Sequence, residues 1–260
     1  MSDLILIIDF GGQYTHLIER NVRELRVDVK VLPSDVSAPE ILSYKPKGII
    51  LSGGPESVYT PGAPMLDSSL LSSEIPILGI CYGMQLITYL LGGEVERGEK
   101  REYGPSMLYI DKEDPIFTSI DSPQRVWMSH SDLVTRLPDE FIPLAHTEET
   151  PYAAIRHKKR AIYGVQFHPE VSHTPCGKDL LRNFVYLISR CKSSFDMKDF
   201  IEERIKKIKE EVQDEVVIGA LSGGVDSTVA AILAHRALGN RLKLVFVDTG
   251  LMRFGDREKV

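Results

Sequence analysis

The stretch "ILGICYGMQLITYLLGG", residues 77–93, constrains this chain more than any other part of it. Residues 75–80 are an apolar run with the length and character of a strand buried on both faces. Helix-forming residues begin at Met84, so no loop separates the strand from the helix. Such a junction belongs to a sheet with helices packed back onto it. Gly79 and Gly83 flank Cys81 in a G-x-C-x-G pattern, as at the elbows that carry nucleophiles. The glycines fit a turn where neighbouring backbone comes too close for a Cβ and where the central residue is strained. A thiol at this point stands at the sheet edge and at a helix amino terminus, where the helix dipole favours the thiolate. Taken alone, the pattern equally suits a buried cysteine acting as a small hydrophobe.

The chain around the elbow fits the same architecture. Residues 4–8, 27–32 and 48–51 are further short apolar runs separated by helix-like segments, and Gly92-Gly93 makes a helix stop. This alternation predicts an α/β fold: an open, mostly parallel sheet with flanking helices. Residues 94–162 are richer in Pro, Tyr and alternating patterns and predict added antiparallel strands and loops. A strand is expected at 161–167. A helix is expected at 178–191, with Leu181, Phe184, Val185 and Ile188 on one face. "CKSSFD" follows as a linker, with Ser194 or Asp196 placed to cap the charged helix "MKDFIEERIKKIKEEVQ", whose Phe200, Ile201, Ile205 and Ile208 share a side. Runs at 216–220 and 242–247 bracket another helix in a βαβ arrangement. The expected organisation is one domain over 1–191, then a linker and the beginning of a second α/β nucleotide-binding domain over 192–260.

Bulk composition excludes several function classes. The 260 residues carry a net charge of −6, which argues against a general nucleic-acid surface. The amino-terminal apolar run is short and interrupted by Asp9, unlike a signal peptide, and no stretch approaches the roughly 20 apolar residues of a membrane span. Three cysteines without C-x-x-C pairing suit a reducing cytoplasm better than a disulfide framework. No direct signature of a metal site or of a prosthetic group is present.

"YGVQFHPEVSHT" supplies partners for the thiol. His168 has the chemistry to take a proton from Cys81 and return it to a leaving amine, and Glu170 can orient the imidazole. In extended backbone, residues two apart point to one side, and Pro169 fixes the bend between these two. In "IILSGGPESV", the amides of Gly53 and Gly54 can form an oxyanion hole together with the amide of Tyr82; an ordinary Gly-Pro turn is the plainer reading of that string. The pair "GICYGMQ" and "GVQFHPE" is similar to the motifs of the class I, or triad, glutamine amidotransferases, a resemblance that covers most of residues 1–190. It implies that Cys81 attacks the carboxamide of glutamine, forming a thioester and releasing ammonia, with His168 as base and Glu170 as its orienter. It also implies glutamine contacts from Gln85 and from "WMSHSD", where Ser131 and Asp132 stand, and an oxyanion loop at Gly53 and Gly54.

"LSGGVDS" opens the second domain after an apolar strand and before a helix. The lysine of a Walker loop is absent, since Val225 follows Gly224. Successive amides, two hydroxyls and a helix amino terminus are instead the parts of an anion nest. The string resembles the pyrophosphate loop of the N-type ATP pyrophosphatases. That implies ATP contacts from Ser222, Gly223, Gly224, Val225, Asp226 and Ser227, with Val247 beside the adenine. ATP is then a substrate, accompanied by a magnesium ion.

A triad amidotransferase ahead of such a loop resembles the glutamine-hydrolysing GMP synthetases. These are carbon–nitrogen ligases in which ammonia from glutamine aminates XMP, activated by ATP, with release of AMP and pyrophosphate. The resemblance implies glutamine, XMP and ATP as the small-molecule partners, a cytoplasmic setting, and a homodimer formed through a segment beyond Val260. On this reading the 260 residues are a fragment with at most glutaminase activity. Two positions depart from the pattern. Gly12 replaces a serine, a change expected to be harmless, and Ser131 replaces a glycine, a change expected to cost freedom at φ > 0. Other readings are the glutaminase of a different amidotransferase, a cysteine peptidase or related hydrolase, and a non-catalytic nucleotide-binding regulatory module whose thiol is structural.

Overall fold

Isoleucine, leucine and valine fill four short runs that become neighbouring parallel strands. In the computed structural model, which describes residues 3–193 and 197–248, β1 (Leu4–Asp9) lies between β2 (Asp28–Pro33) and β3 (Gly48–Leu51), and β4 (Ile77–Ile80) pairs with β3. Every residue of β3 and β4 is buried, as a sheet covered on both faces requires. The covering helices include α1 (Thr15–Glu24), α2 (Ala38–Ser43) and α3 (Tyr82–Leu90). Alternation along the strands divides the core into two layers. Ile5, Ile7, Ile50 and Leu78 pack with Ile18 and Val22 of α1, whereas Leu6, Ile8, Ile49 and Ile77 pack with the Met84 and Ile87 side of α3.

Beyond α3 the chain switches to antiparallel pairing, as the alternating middle segment predicts. β5 (Glu94–Ile110) pairs with β6 (Gln124–Arg136), β7 (Phe141–His146) pairs with β5 and with β8 (Ala154–His157), and β9 (Ile162–Val165) returns parallel to β4. The nine strands run in the order β2-β1-β3-β4-β9-β8-β7-β5-β6. Chain direction across the sheet reverses between β1 and β3. A crevice therefore opens at the carboxyl ends of these strands, the usual ligand position in open α/β sheets.

Two elements are shorter than the sequence suggests: 75–80 gives Ile77–Ile80, and 161–167 gives Ile162–Val165. The helix expected at 178–191 starts as α4 (Gly177–Arg182) and continues as a π-turn over Asn183–Ile188. The wider turn follows from Asn183, whose buried amide donates to the carbonyls of Ile116 and Thr118 at 3.0 and 2.8 Å. Leu181, Phe184 and Val185 remain buried on its inner face.

The chain divides into two units, Met1–Ser194 and Phe195–Val260. The second contains α5 (Met197–Val212), β10 (Val217–Ala220), α6 (Val225–Leu238) and β11 (Leu242–Val245), with β10 and β11 parallel. The proposed helix caps Ser194 and Asp196 lie outside the described residues. Of the hydrophobic residues described in this unit, only Ala237 and Leu238 are buried, while Val216, Ile218, Val229, Ile232 and Leu244 are exposed. No helix among the described residues is long and apolar enough to cross a membrane.

Truncating Leu78, fully buried at the centre of β4, is expected to remove packing that the sheet cannot recover by collapse. Leu78→Ala should cost about 2–5 kcal/mol in the denaturant unfolding of the first unit, whereas Leu42→Ala on the exposed side of α2 should cost under about 1 kcal/mol.

Candidate active site

The β4–α3 junction is as tight as its sequence requires. Cys81 adopts φ 52° and ψ −107°, a region that a non-glycine residue enters only under strain. Its amide donates to the Val165 carbonyl of β9 at 2.8 Å, and the Gly83 amide donates to the Ser52 carbonyl after β3 at 3.1 Å. Gly79 and Gly83 pack against each other: a Cβ on Gly79 would meet the Gly83 backbone at 2.6 Å. The junction thus delivers the Cys81 side chain to a cavity of about 550 Å³ at the carboxyl ends of the parallel strands.

His168 and Glu170 line the same cavity, reached from β9. They lie past the end of the strand in a turn, so the turn brings them together and not the alternation of extended backbone. His168 Nδ1 is 2.7 Å from Glu170 Oε1, and the two side chains are only 7% and 1% exposed. The segment is tied down at both ends: the His168 amide donates to the Trp127 carbonyl at 3.0 Å, and Thr174 Oγ1 donates to the His168 carbonyl at 2.7 Å. The Tyr14 ring meets the imidazole edge-on, with centroids 5.2 Å apart. Burial works against protonation of His168. Hydrogen bonding to Cys81 and Glu170, with the charges of the Glu170 carboxylate and the ionised Cys81 sulfur, outweighs it, and the imidazole pKa is held well above the usual value of 6.5.

The loops after β1 and β3 form the next wall. A Cβ built on Gly53 would sit 3.1 Å from His168 Cε1 and 3.8 Å from Cys81 Cβ, so this backbone borders the thiol and the imidazole together. Ser52, fully buried, accepts from the Phe10 amide at 3.0 Å and donates to the Gly53 carbonyl at 2.8 Å, joining the two loops. Gly53 and Gly54 line the cavity. The Tyr82 side chain points elsewhere: its ring packs on Phe10, its hydroxyl donates to the Pro64 carbonyl, and burial with the nearby Glu56 charge pushes its pKa up to about 12. The Tyr82 amide lies in the first turn of α3, where the helix offers no acceptor. The glycine at position 12, expected to be harmless, fits the structure closely. A Cβ on Gly12 would lie 2.4 Å from the Gly53 carbonyl oxygen, so the close approach of the two loops requires glycine in this chain.

Gln85, Ser131 and Asp132 also line the cavity, on α3 and β6. Gln85 Nε2 donates to the Asp132 carbonyl at 2.8 Å and to Gln166 Oε1 at 3.2 Å. Asp132 Oδ1 accepts from the Tyr59 hydroxyl at 3.2 Å, and Ser131 Oγ pairs with the Tyr103 hydroxyl at 3.2 Å. The expected cost of Ser131 is not incurred, because position 131 is not among the residues with positive φ. Sequence reasoning missed His130, Glu102 and Gln166. His130 is two residues from Asp132 on the buried side of β6, and its Nδ1 lies 2.9 Å from the Asp132 carbonyl. On its other side, Nε2 is 3.3 Å from Glu102 Oε2, close enough for an ion pair although off the line of a hydrogen bond. Their positions in "WMSHSD" and "GVQFHPE" were the available signals for His130 and Gln166; Glu102, far away in sequence, gave none.

In the second unit, Ser222–Ser227 forms the turn from β10 into α6, with Gly224 at the helix cap and Gly223 at φ 78°. Ser222 Oγ and Ser227 Oγ are 2.9 Å apart, and the Ser227 hydroxyl reaches the Gly224 carbonyl at 3.0 Å. Val225 and Asp226 are exposed in the first turn of the helix. Val247 is exposed just past the end of β11, hence at the same edge of the parallel pair as the serine turn.

Burial raises the Glu102 pKa, but the His130 ring, Thr150 and Ser106 outweigh it and hold the carboxyl at about 2, below its usual 4.5. A depressed folded-state pKa adds stability above the unfolded value and loses it as pH falls through the folded one. Between pH 4.5 and about 2 the parent's denaturant midpoint should therefore fall more steeply than that of Glu102→Gln.

Residues 6–188 match the model of the family described as glutamine amidotransferase class-I, and residues 195–248 match that of NAD synthase. The GMP synthase [glutamine-hydrolyzing] of Aquifex aeolicus (strain VF5) is 52% identical over 256 residues, covering 98% of this chain and 50% of that protein. The GMP synthase [glutamine-hydrolyzing] of Staphylococcus carnosus (strain TM300) is 50% identical over 259 residues, again half of its own length. The chain thus spans about half the length of these relatives. Among solved structures, a putative GMP synthase component from Thermoplasma acidophilum aligns with TM-score 0.67 and 35% identity, covering 73% of this chain and 96% of that one. A glutamine amidotransferase from Thermotoga maritima, 23% identical with TM-score 0.56, covers 80% of this chain and 86% of that one and shares the fold. With 6–188 matched by the family model and nearly the whole of a 35% identical structure covered, the chain belongs to the class I glutamine amidotransferases.

Proposed function

We propose that residues 1–191 are a glutaminase with Cys81 as nucleophile, His168 as proton shuttle and Glu170 as its orienter. The observation that carries this reading is the strained Cys81 opening onto the same cavity as a buried imidazole–carboxylate pair 2.7 Å apart. Cys81 Sγ bonds to the carboxamide carbon of glutamine as the carbonyl electrons move to oxygen. The amides of Gly53, Gly54 and Tyr82 receive that oxygen. As the tetrahedral adduct collapses, the C–N bond breaks, His168 gives its proton to nitrogen, and ammonia leaves a thioester. Water, deprotonated by His168, then cleaves the thioester to glutamate. Gln85, Ser131 and Asp132 hold the amino-acid end of the substrate. Glu170 keeps the imidazole in one orientation and stabilises its cation through the cycle.

The ammonia serves a ligase reaction. ATP, with its magnesium ion, activates XMP by adenylation and releases pyrophosphate; ammonia then displaces AMP to give GMP. Residues 192–260 form a linker and the first part of the ATP pyrophosphatase domain. Ser222, Gly223, Gly224, Val225, Asp226 and Ser227 contact the polyphosphate, and Val247 lies beside the adenine. Support comes from the parallel β10–β11 pair with both loops at one edge and from relatives of twice this length that are glutamine-hydrolysing GMP synthases. Exposed Val216, Ile218, Val229, Ile232 and Leu244 fit a sheet that further strands and helices cover. The whole enzyme is a cytoplasmic homodimer; the three free thiols, all buried, suit a reducing compartment.

Ammonia release from glutamine tests the first half directly. The chain should turn glutamine over and Cys81→Ala should lose at least about a thousandfold; equal rates would remove Cys81 from the mechanism. Glu170→Gln should lower kcat by about 10²- to 10⁴-fold. It should also bring the His168 titration, followed by NMR, down towards 6.5, because it removes two of the influences that raise it.

A further inference from the structure

Gln166 has no role in the mechanism above, yet it is fully buried and its amide ends on the sulfur. Its Nε2 lies 3.6 Å from Cys81 Sγ, and its Oε1 accepts from Gln85 Nε2 at 3.2 Å. We propose that Gln166 is a further catalytic residue of the glutaminase: it donates a hydrogen bond to the Cys81 sulfur, favouring the thiolate, and fixes Gln85 so that its carbonyl oxygen faces the substrate. This rests on the reading of Cys81 as the nucleophile.

The direction of the relay is set at its far end. The Asp132 carbonyl is a backbone acceptor, so the Gln85 amide must turn its nitrogen towards it, at 2.8 Å. The second N–H of that nitrogen meets Gln166 Oε1. Gln166 must then present Nε2 to the sulfur. Reversing either amide would set nitrogen against nitrogen between the two glutamines, or oxygen against the Asp132 carbonyl. The His130 ring contacts the same carbonyl, and Glu102 contacts that ring, so the acceptor that orients the relay is itself held.

Besides the His168 imidazole, the sulfur has the Ser129 carbonyl as a close polar neighbour at 3.9 Å, which can accept from a thiol and can give nothing to a thiolate. Ionisation therefore gives up a weak S–H contact and gains a charge-assisted N–H···S⁻ bond from Gln166 beside the contact from His168. At the other end, Gln85 has spent its nitrogen on protein and offers an acceptor. The ammonium group at the substrate's amino-acid end can donate to it, and a carboxylate cannot. The relay thus links nucleophile activation to recognition of the substrate's amino-acid end.

The test is alkylation of Cys81 by iodoacetamide as a function of pH, with Cys81→Ala correcting for Cys176 and Cys191. Gln166→Met keeps length and bulk and removes the donor. It should move the alkylation midpoint to higher pH, slow the reaction at pH 7 about tenfold, lower kcat, and raise KM as Gln85 loses its orientation. Gln166→Glu, which sets a negative charge beside the sulfur, should move the midpoint further in the same direction. A profile for Gln166→Met that superimposes on the parent's would overturn the proposal. A second measurement needs no substitution at 166. The side-chain amide proton resonance of Gln166 in the parent should shift with the Cys81 titration and should not shift in Cys81→Ala; an unmoved resonance also overturns the proposal. Failure of the glutaminase reading has a separate signature, a parent that releases no ammonia whatever its alkylation profile.

Discussion

The backbone at Cys81 is held in a conformation that a relaxed L-residue avoids, and the strands on either side hold it there. Hydrogen bonds flank the turn: the Cys81 amide to Val165 of β9, and the Gly83 amide to Ser52 beyond β3. Strain of this kind costs about 1–3 kcal/mol. It is offset locally by the burial of Tyr82, Met84, Leu86 and Ile87 in the first turns of α3. The thiol therefore takes its position from three adjacent parallel strands. Because β1 shares the Ser52 link through the Phe10 amide, the loops bearing Gly12 and Gly53 belong to the same rigid frame. The antiparallel half of the sheet contributes the opposite wall of the cavity through β6.

Charge in the cavity follows from the same frame. A lone carboxylate as buried as Glu170 would be costly, and an imidazole as buried as His168 would remain neutral. Set 2.7 Å apart, each makes the other's charged form tolerable. Glu102 and His130 form a second pair of the same residue types. Their imidazole reaches a backbone carbonyl and not a thiol, and Thr147 and Thr150 also bond the carboxylate. Chemistry alone does not separate the two pairs; what each ring faces does.

Local features were legible in the sequence. The G-x-C-x-G junction dictated a strained turn, since a strand and a helix meeting at one residue leave the backbone no alternative. Apolar runs gave the parallel strands, and the loss of that pattern after Gly93 marked the change to antiparallel pairing. The π-turn after Arg182 was not legible, because its cause is a pair of carbonyls on a segment more than sixty residues earlier in the chain. The proximity of His168 to Glu170 was read from alternation, whereas a turn produces it. The need for glycine at position 12 was not legible for a similar reason: the atom that forbids a side chain there belongs to another loop. Position 102 meets partners distant in sequence and nothing in its own neighbourhood marks it, whereas Gln166 stands in the "GVQFHPE" motif and only its contact with the sulfur needed the fold.

The two units differ in how completely they satisfy their own apolar surface. The first encloses each face of its parallel strands with helices and buries both layers. Its cavity is walled by loops anchored to the ends of those strands, so the site inherits the stiffness of a closed core. The second presents a two-stranded sheet with exposed apolar residues on strand and helix, and a serine turn whose hydroxyls bond mainly to one another and to the backbone that carries them. Two strands offer little area for a hydrophobic face to bury, and so little free energy with which to fix a loop. The thiol site is thus defined by the unit that contains it, whereas the serine turn of the second unit is carried by a two-stranded sheet, among the described residues, that buries little of its own apolar surface.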